Sequence, residues 1–392
     1  MADKANINPL VFKWAREFAR ITEEAAAAKV QVSTEKLQEW EAGTSQPTIR
    51  QAQTLAKAYR RPFALFFLPE IPRDFQPLQD FRRKGARPLG TPSIFMVREI
   101  QQKQAWISEV NRENGEVKLP YVGRFSLKDN PVTVANDMLD TLGIAPSGYS
   151  TDNPVREWID RAESKGIFVS RTSFIHSRLK LDAEELQGFV IADEYAPFVF
   201  INSDDWDAPL LFTLVHELAH IWIAETGISN EIEPDVQNRK RLHPVELFCN
   251  EVAANALMPA DIVREIGADI FRSADEVLQA SKRFGVSSFA LLVRALNLEL
   301  ISHEVYRNLK RDADAGYREF LKREDERAAR RKEAGKKGGP SYYLLQVNKN
   351  SRLFTRTVLD AYHGGFIEPT QASGLLNVHS NKFSLLEAQL SK

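Results

Sequence analysis

Apolar residues recur mostly at helical spacing along this chain, and one central region instead carries short continuous apolar runs. Helical patterns are predicted at residues 10–18, 23–29, 33–40, 49–59, 93–115, 131–142, 154–164, 246–258 and 262–300. Runs typical of strands occupy residues 167–169, 187–191 and 198–202, with a polar turn between the last two. The pattern therefore predicts an α+β fold that is mostly helical, with a small sheet in the middle of the chain.

The first sixty residues contain four short helical segments joined by tight turns, which is typical of a helix-turn-helix bundle. This segment resembles the XRE-type (Cro/repressor-like) helix-turn-helix family in Ala25-Ala26, Val30-Gln31-Val32-Ser33, Trp40-Glu41-Ala42-Gly43 and Pro47-Thr48. The resemblance implies an N-terminal domain that contacts DNA.

The third helix of this domain would supply the DNA contacts, from Ser33, Thr34 and Lys36. The same helix also carries acidic residues, which would be repelled by phosphates: Glu35, Glu39 and Glu41. Two interpretations therefore stay open for the domain, one of DNA binding and one of docking to a protein.

The strongest chemical signal is a His-Glu-x-x-His motif, formed by His216, Glu217 and His220 within the apolar segment 213–223. Residues four apart on a helix leave from the same face, so two neutral imidazoles can reach one Zn²⁺ at ~2.0–2.1 Å. Glu217 lies beside them and can take a proton from the attacking water. Without a metal, the motif would place three polar groups in a buried helix.

A catalytic zinc ion needs a further protein ligand and one open position for water. The metzincin pattern of three histidines is excluded, because it requires glycine and histidine where Ile223 and Thr226 stand. The alternative is a carboxylate from a second helix, and residues 246–258 offer Glu246 and Glu251.

The two helices together resemble the ImmA/IrrE family of metallopeptidases. The resemblance is carried by Phe212-Thr213-Leu214-Val215-His216-Glu217-Leu218-Ala219-His220 and by Glu246-x-x-x-Asn250-x-x-Ala253-Ala254-x-x-Leu257-Met258-Pro259. It implies a zincin-like fold and a Zn²⁺ ion, with Mn²⁺ as the alternative, held by His216, His220 and Glu246. It further implies Glu217 as the catalytic residue and a helix-turn-helix transcriptional repressor as the substrate.

Weaker candidates surround these motifs. His243 and Tyr195 are candidate oxyanion stabilisers, and an ordinary loop position is the alternative for both. The strand at residues 198–202 is predicted to form the sheet edge beside the cleft, where it would hydrogen-bond an extended substrate. Cys249 is interpreted as a small buried residue rather than as a redox-sensitive group.

Composition narrows the class of protein further. The 392 residues have a formal net charge of −1 and are 43% hydrophobic, which is ordinary for a globular protein of two or three domains. A charge near zero gives no general attraction to nucleic acids or anionic membranes. One cysteine, a polar amino terminus and no long apolar stretch predict a cytoplasmic protein without a membrane partner.

The predicted organisation has a helix-turn-helix domain at 1–68, a linker at 69–92, a metallopeptidase domain at 93–310, a charged linker helix at 311–340 and a small helical module at 341–392. The first functional hypothesis is a zinc endopeptidase that cleaves a repressor and so relieves repression in a stress or mobile-element response. The second is the antitoxin of a toxin–antitoxin pair, which would act by binding a PIN-like RNase toxin, with or without DNA. A DNA-binding repressor is the third.

Overall fold

A computed structural model describes residues 3–72, 78–82, 87–146, 149, 153–176, 179–203, 207–229, 243–333 and 340–390. The helices are α1 (Pro9–Phe18), α2 (Glu23–Lys29), α3 (Thr34–Ala42), α4 (Ile49–Ala58), α5 (Thr91–Glu113), α6 (Pro131–Leu142), α7 (Pro154–Ser164), α8 (Asp207–Trp222), α9 (Pro244–Leu257), α10 (Ala260–Ile266), α11 (Ala274–Phe284), α12 (Ser288–Asn297), α13 (His303–Glu333), α14 (Tyr342–Asn350), α15 (Arg352–His363), α16 (Pro369–Leu376) and α17 (Phe383–Leu390). The strands are β1 (Gln79–Asp80), β2 (Phe168–Thr172), β3 (Phe174–His176), β4 (Leu179–Lys180), β5 (Gly188–Ile191), β6 (Phe198–Asn202) and β7 (Gly227–Ser229).

The chain divides into two compact units, and the first contains α1 to α4 within residues 1–77, 87–101 and 174–185. Its helices begin where a polar side chain accepts a backbone N–H of the first turn, as Thr22, Ser33 and Thr48 do. Gly43 ends α3 in the left-handed region, with a φ of 76°. These caps explain why four helices of seven to ten residues form in so short a segment.

The interior of the first unit combines an aromatic cluster with a buried ion pair. The rings of Phe12 and Phe66 lie 5.0 Å apart in an edge-to-face contact, and Tyr59 packs on both. Arg16 donates from Nε to one oxygen of Glu41 at 2.6 Å and from Nη2 to the other at 2.8 Å. Because both side chains are buried, this bidentate pair fixes α1 against the end of α3.

The second unit contains residues 78–86, 102–173 and 186–392 and has a five-stranded mixed sheet in the order β1-β7-β5-β6-β2. β6 pairs antiparallel with β5 and parallel with β2, and all of its residues are buried. The prediction that residues 198–202 form the edge beside the cleft is therefore wrong. Its run of apolar residues without alternation is typical of a central strand covered on both faces, and that is the place it takes.

Helices α8 and α9 pack on each other, and α8 also packs against β5 and β6. Leu214 and Leu218 of α8 and Val252 and Ala256 of α9 are fully buried in the main core. Since α8 is apolar around most of its circumference, it lies inside the unit rather than on its surface. Polar side chains on this helix are therefore held in a dry environment.

The carboxy-terminal helices α14 and α15 cover the outer strand β2. Ser170 of β2 donates to the carbonyl oxygen of Lys349 at 2.5 Å, and Phe354 packs edge-to-face on Phe168. Ser351 donates from its hydroxyl to Glu163 of α7 at 2.6 Å. These helices thus complete the packing of the sheet in the second unit.

The observed fold is the mostly helical α+β class that the apolar pattern predicts. Its strands are short, from two to five residues each. Within the described residues, no helix has both the length and the apolar character needed to cross a membrane.

Candidate metal centre

Helix α8 brings two histidines to one point. His216 and His220, four residues apart, are fully buried, and their Nε2 atoms lie 3.1 Å from each other. His216 Nδ1 lies 2.9 Å from Oδ1 of Asn250, which can only accept, so Nδ1 carries the hydrogen and Nε2 keeps its lone pair. Asn250 thereby fixes the tautomer that a metal needs.

Helix α9 supplies the carboxylate. Pro244 begins the helix and places Glu246 in its first turn, with Oε2 3.2 Å from His216 Nε2 and Oε1 3.3 Å from His220 Nε2. Glu246 is buried, whereas the rival Glu251 faces solvent. Among the described residues, His216, His220 and Glu246 form the metal-type cluster, with all donor atoms within 4.8 Å of one another.

The spacing of these donors fits a zinc ion. Ligands placed tetrahedrally at ~2.0–2.1 Å from one centre lie about 3.3 Å from each other. The two imidazole nitrogens are 3.1 Å apart, and each lies 3.2 or 3.3 Å from one of the two oxygens of Glu246, which is close to that value. Two imidazoles and one carboxylate are also the donor set of catalytic zinc sites with one open position.

The electrostatics of the cluster favour the forms that bind metals. Burial lowers the pKa of His220 and so favours the neutral imidazole. Burial raises the pKa of Glu246, but its interactions with His216 and His220 outweigh burial and bring that pKa below its usual range, so the carboxylate stays ionised. A neutral histidine next to an ionised carboxylate is the combination that a divalent cation requires.

Glu217 is fully buried next to the cluster, and neither of its oxygens has a hydrogen-bond partner among the described residues. Burial, and then the negative charge of Glu246, raise the pKa of Glu217 well above its usual value. A Cβ atom at Gly188 would lie 2.5 Å from Glu217 Oε1, so only glycine leaves room for the carboxylate at the start of β5. The sequence pattern gives no role for Gly188, and the structure shows that it leaves space for the carboxylate of Glu217.

Two further residues at the centre were not predicted. Ser229, at the end of β7, donates to Glu246 Oε1 at 3.2 Å and lies 3.4 Å from His220 Nε2. The ring of Phe81 stacks on His220 with centroids 5.6 Å apart and planes 22° apart. Phe81 is far from the motif in the sequence, and although Ser229 follows His220 by nine residues, no spacing rule connects either residue to the motif.

The two candidate oxyanion stabilisers lie in different places. His243 is the N-cap of α9: its Nδ1 accepts from the N–H of Val245 at 3.3 Å, and its ring lies 5.1 Å from that of Phe81. Tyr195 follows the far end of β5, and its ring contacts Arg112 at 5.0 Å. The structure therefore brings His243, and not Tyr195, to the surroundings of the centre.

Cys249 is fully buried one turn after Glu246. Burial, followed by the surrounding carboxylates, raises the pKa of its thiol well above the ordinary value, which leaves the unreactive thiol form. The interpretation as a core residue fits this environment.

In the helix-turn-helix region, the three predicted DNA contacts lie at the start of α3. Ser33 caps the helix by accepting the N–H of Lys36, and Thr34 is the first helical residue. Lys36 pairs with Glu39. The expectation that Glu41 faces phosphates is wrong, because Glu41 is buried in its pair with Arg16.

The cluster and the fold define a metallohydrolase-type centre of the His-Glu-x-x-His kind. Comparison with protein families agrees: residues 162–296 match the IrrE N-terminal-like domain of the M78 peptidases, and residues 12–66 match the helix-turn-helix family. The two matched regions have the peptidase and helix-turn-helix architecture that the sequence motifs predict, and the peptidase match implies a metal. A search of curated proteins gave no match.

Proposed function

We propose that this protein is a zinc-dependent endopeptidase in which His216, His220 and Glu246 hold the ion and Glu217 is the catalytic base. The observation that carries the proposal is the convergence of two buried imidazole nitrogens and one buried carboxylate, whose facing atoms are separated by 3.1–3.3 Å. The match of residues 162–296 to the M78 peptidases supports the same chemistry. Mn²⁺ is the alternative ion, because the same ligands accept it.

A zinc ion bound there would supply Lewis acidity, polarising the scissile carbonyl and acidifying water. The chain's own residues supply the proton transfer. Glu217, buried beside the metal ligands, would take a proton from the attacking water as a carboxylate and return it to the leaving amine nitrogen. Asn250 holds His216 in one tautomer throughout, and burial of the cluster keeps other water away from the reaction.

The proposed substrate is a helix-turn-helix transcriptional repressor. The helix-turn-helix domain at residues 12–66 supports this choice, because a pairing of like surfaces would let it dock to a repressor that carries a similar domain. For this domain we favour docking to protein over DNA contact by Ser33, Thr34 and Lys36. Lys36 is paired with Glu39, and the exposed side of α3 also presents Glu35.

The test is hydrolysis of the repressor encoded beside this protein, with zinc, with a chelator, and with Glu217→Gln. The wild type should cut at one place, and the chelator should abolish cutting. Glu217→Gln should retain zinc and lose cleavage by at least ~100-fold, because general base catalysis contributes about that factor. Glu251→Gln is the matched control, since Glu251 is an exposed glutamate on α9.

Antitoxin action by binding alone makes the opposite prediction for the same variant. If Glu217→Gln keeps the full biological effect of the wild type, proteolysis is not the function. DNA binding is tested separately by a mobility shift at low salt with the protein's own promoter, where phosphate contacts are strongest. If the helix-turn-helix domain docks to a protein instead, no mobility shift is expected with this promoter at low salt.

A further inference from the structure

The outer edge of β7, next to the metal centre, is occupied by another part of the same chain. β7 pairs with β5 on one side, and on its other side it pairs parallel with β1, with Gln79 opposite Gly227. The N–H of Phe81 donates to the carbonyl oxygen of Ile228 at 3.1 Å. Residues 79–81 are thus bound to the sheet as an extended peptide binds an open strand edge.

Phe81 places its side chain directly over the centre. Its ring stacks on His220 and contacts His243 with centroids 5.1 Å apart, and the residue is 1% exposed. The two histidine rings therefore form the walls of an aromatic pocket that Phe81 fills.

Gly227 makes room for this arrangement. A Cβ atom at position 227 would overlap the ring of Phe81 and lie 2.8 Å from the carbonyl oxygen of Gln79. The three atoms nearest to that Cβ all belong to Gln79 and Phe81. The glycine is therefore shaped to the segment that docks on it, and an alanine there would expel the segment while leaving β7's own backbone unstrained.

The docked segment is short. β1 has two residues, and the side chains of both are exposed. After Phe81, the guanidinium of Arg82 folds back and donates to both carboxylate oxygens of Asp80, at 2.8 and 2.7 Å. The phenylalanine ring, the two-residue ladder and the Arg82 side chain, which is 4% exposed, hold only a few residues on β7, and a segment this short can exchange with another peptide.

The geometry points to a peptide-binding groove along the outer edge of β7, which takes an extended peptide with an aromatic side chain between His220 and His243, and which residues 79–81 fill in the resting protein. This inference deepens the proposed function and rests on it, since release of the segment is the step that admits substrate to the centre. A substrate that binds in this groove should carry an aromatic residue beside the scissile bond.

The probe is a fluorescein-labelled peptide with the sequence of residues 77–84, whose binding to the full, zinc-loaded chain is followed by anisotropy. A segment that occupies the groove more than nine-tenths of the time weakens an external peptide by ~10-fold or more. Phe81→Ala should therefore bind the probe at least ~10-fold more tightly than the wild type does. A probe peptide in which alanine replaces the phenylalanine should not bind either protein.

Gly227→Ala separates release of the segment from opening of the pocket. The new methyl group should release residues 79–81, seen as faster hydrogen exchange of the Phe81 amide, yet it should also block the ring of the probe. Faster exchange without probe binding is the expected result. Phe366→Ala and Gly316→Ala are matched controls, because Phe366 is 84% exposed and a Cβ at Gly316 meets nothing within 4 Å.

Unchanged probe binding by natively folded Phe81→Ala, or unchanged exchange in Gly227→Ala, would overturn the inference. If Phe81→Ala does not fold, Phe81→Leu replaces it in the binding measurement, because leucine keeps an apolar side chain in the core. Phe81→Leu should also bind the probe more tightly than the wild type does. These measurements do not depend on hydrolysis. A protein that opens its groove but cuts nothing disproves the proposed function alone, and an active enzyme whose groove is unaffected by Phe81 disproves this inference alone.

Discussion

Replacement of Asn250 by leucine tests how the chain prepares a histidine for metal binding. Leucine has a similar volume but removes the oxygen that lies 2.9 Å from His216 Nδ1. Loss of such a hydrogen bond behind a metal ligand typically weakens metal affinity 10- to 100-fold. That factor corresponds to about 1.4–2.7 kcal/mol of binding free energy.

The effect should appear in zinc binding and not in folding. Nδ2 of Asn250 has no hydrogen-bond partner among the described residues, so leucine removes a buried polar group at little cost to the metal-free fold. Zinc affinity is measured by competition with a chromogenic chelator, and stability by thermal unfolding of the metal-free protein. Asn250→Asp, which keeps an acceptor for Nδ1, should retain affinity close to that of the wild type.

Wild-type zinc affinity in Asn250→Leu would refute the reasoning, because it would show that His216 needs no partner to present Nε2. A large fall in metal-free stability would also count against it, since the asparagine would then act chiefly in folding. Asn297→Leu, at an exposed position at the end of α12, should change neither quantity.

Three other variants give separate tests. Gly188→Ala should push the carboxylate of Glu217 aside and lower peptide hydrolysis by about 100-fold with unchanged zinc affinity, measured by kinetics and chelator competition. Burial raises the pKa of Glu163 from 4.5 to about 7, so its folded form keeps a proton that the unfolded chain releases. The free energy of unfolding should therefore fall by up to about 3 kcal/mol from pH 4.5 to 7, and Glu163→Gln should lack this dependence in denaturant titrations. Glu41→Ala removes the bidentate partner of the buried Arg16, which keeps a longer contact with Glu23, and should destabilise the helix-turn-helix unit by up to about 3 kcal/mol in urea unfolding.

Each of these three predictions would be contradicted by a specific result. Gly374→Ala is the control for Gly188, because a Cβ at Gly374 meets nothing within 4 Å; equal activity of the two variants would contradict the crowding argument. A pH profile of Glu163→Gln that parallels the wild type would place the titration at another group. Unchanged unfolding of Glu41→Ala would show that the buried pair contributes nothing.

The sequence predicted those parts of the molecule that depend on local spacing. The His-Glu-x-x-His motif places His216 and His220 on one helical face whatever the rest of the fold does. The starts of the first helices depend on equally local signals, because Thr22 and Ser33 cap the helices predicted at 23–29 and 33–40. The choice of Glu246 as the third ligand required the family resemblance as well, because Glu251 lies on the same helix.

The parts that the sequence did not predict depend on pairing between distant segments. Strand order decides which edge is open, and although the apolar run at 198–202 is typical of a covered strand, nothing in it identifies β2 and β5 as its neighbours. For the same reason, nothing in the linker marks Phe81 as a neighbour of His220. Buried polar contacts such as that between Ser229 and Glu246 arise only once β7 and α9 have come together.

X-ray absorption of the zinc-loaded full chain tests the central claim most directly, together with the zinc content of the same sample. The account predicts one zinc ion per chain, with two imidazole nitrogens and carboxylate oxygen in its first shell at ~2.0–2.2 Å. Much less than one ion per chain, or a zinc shell without imidazole nitrogen, would contradict the account.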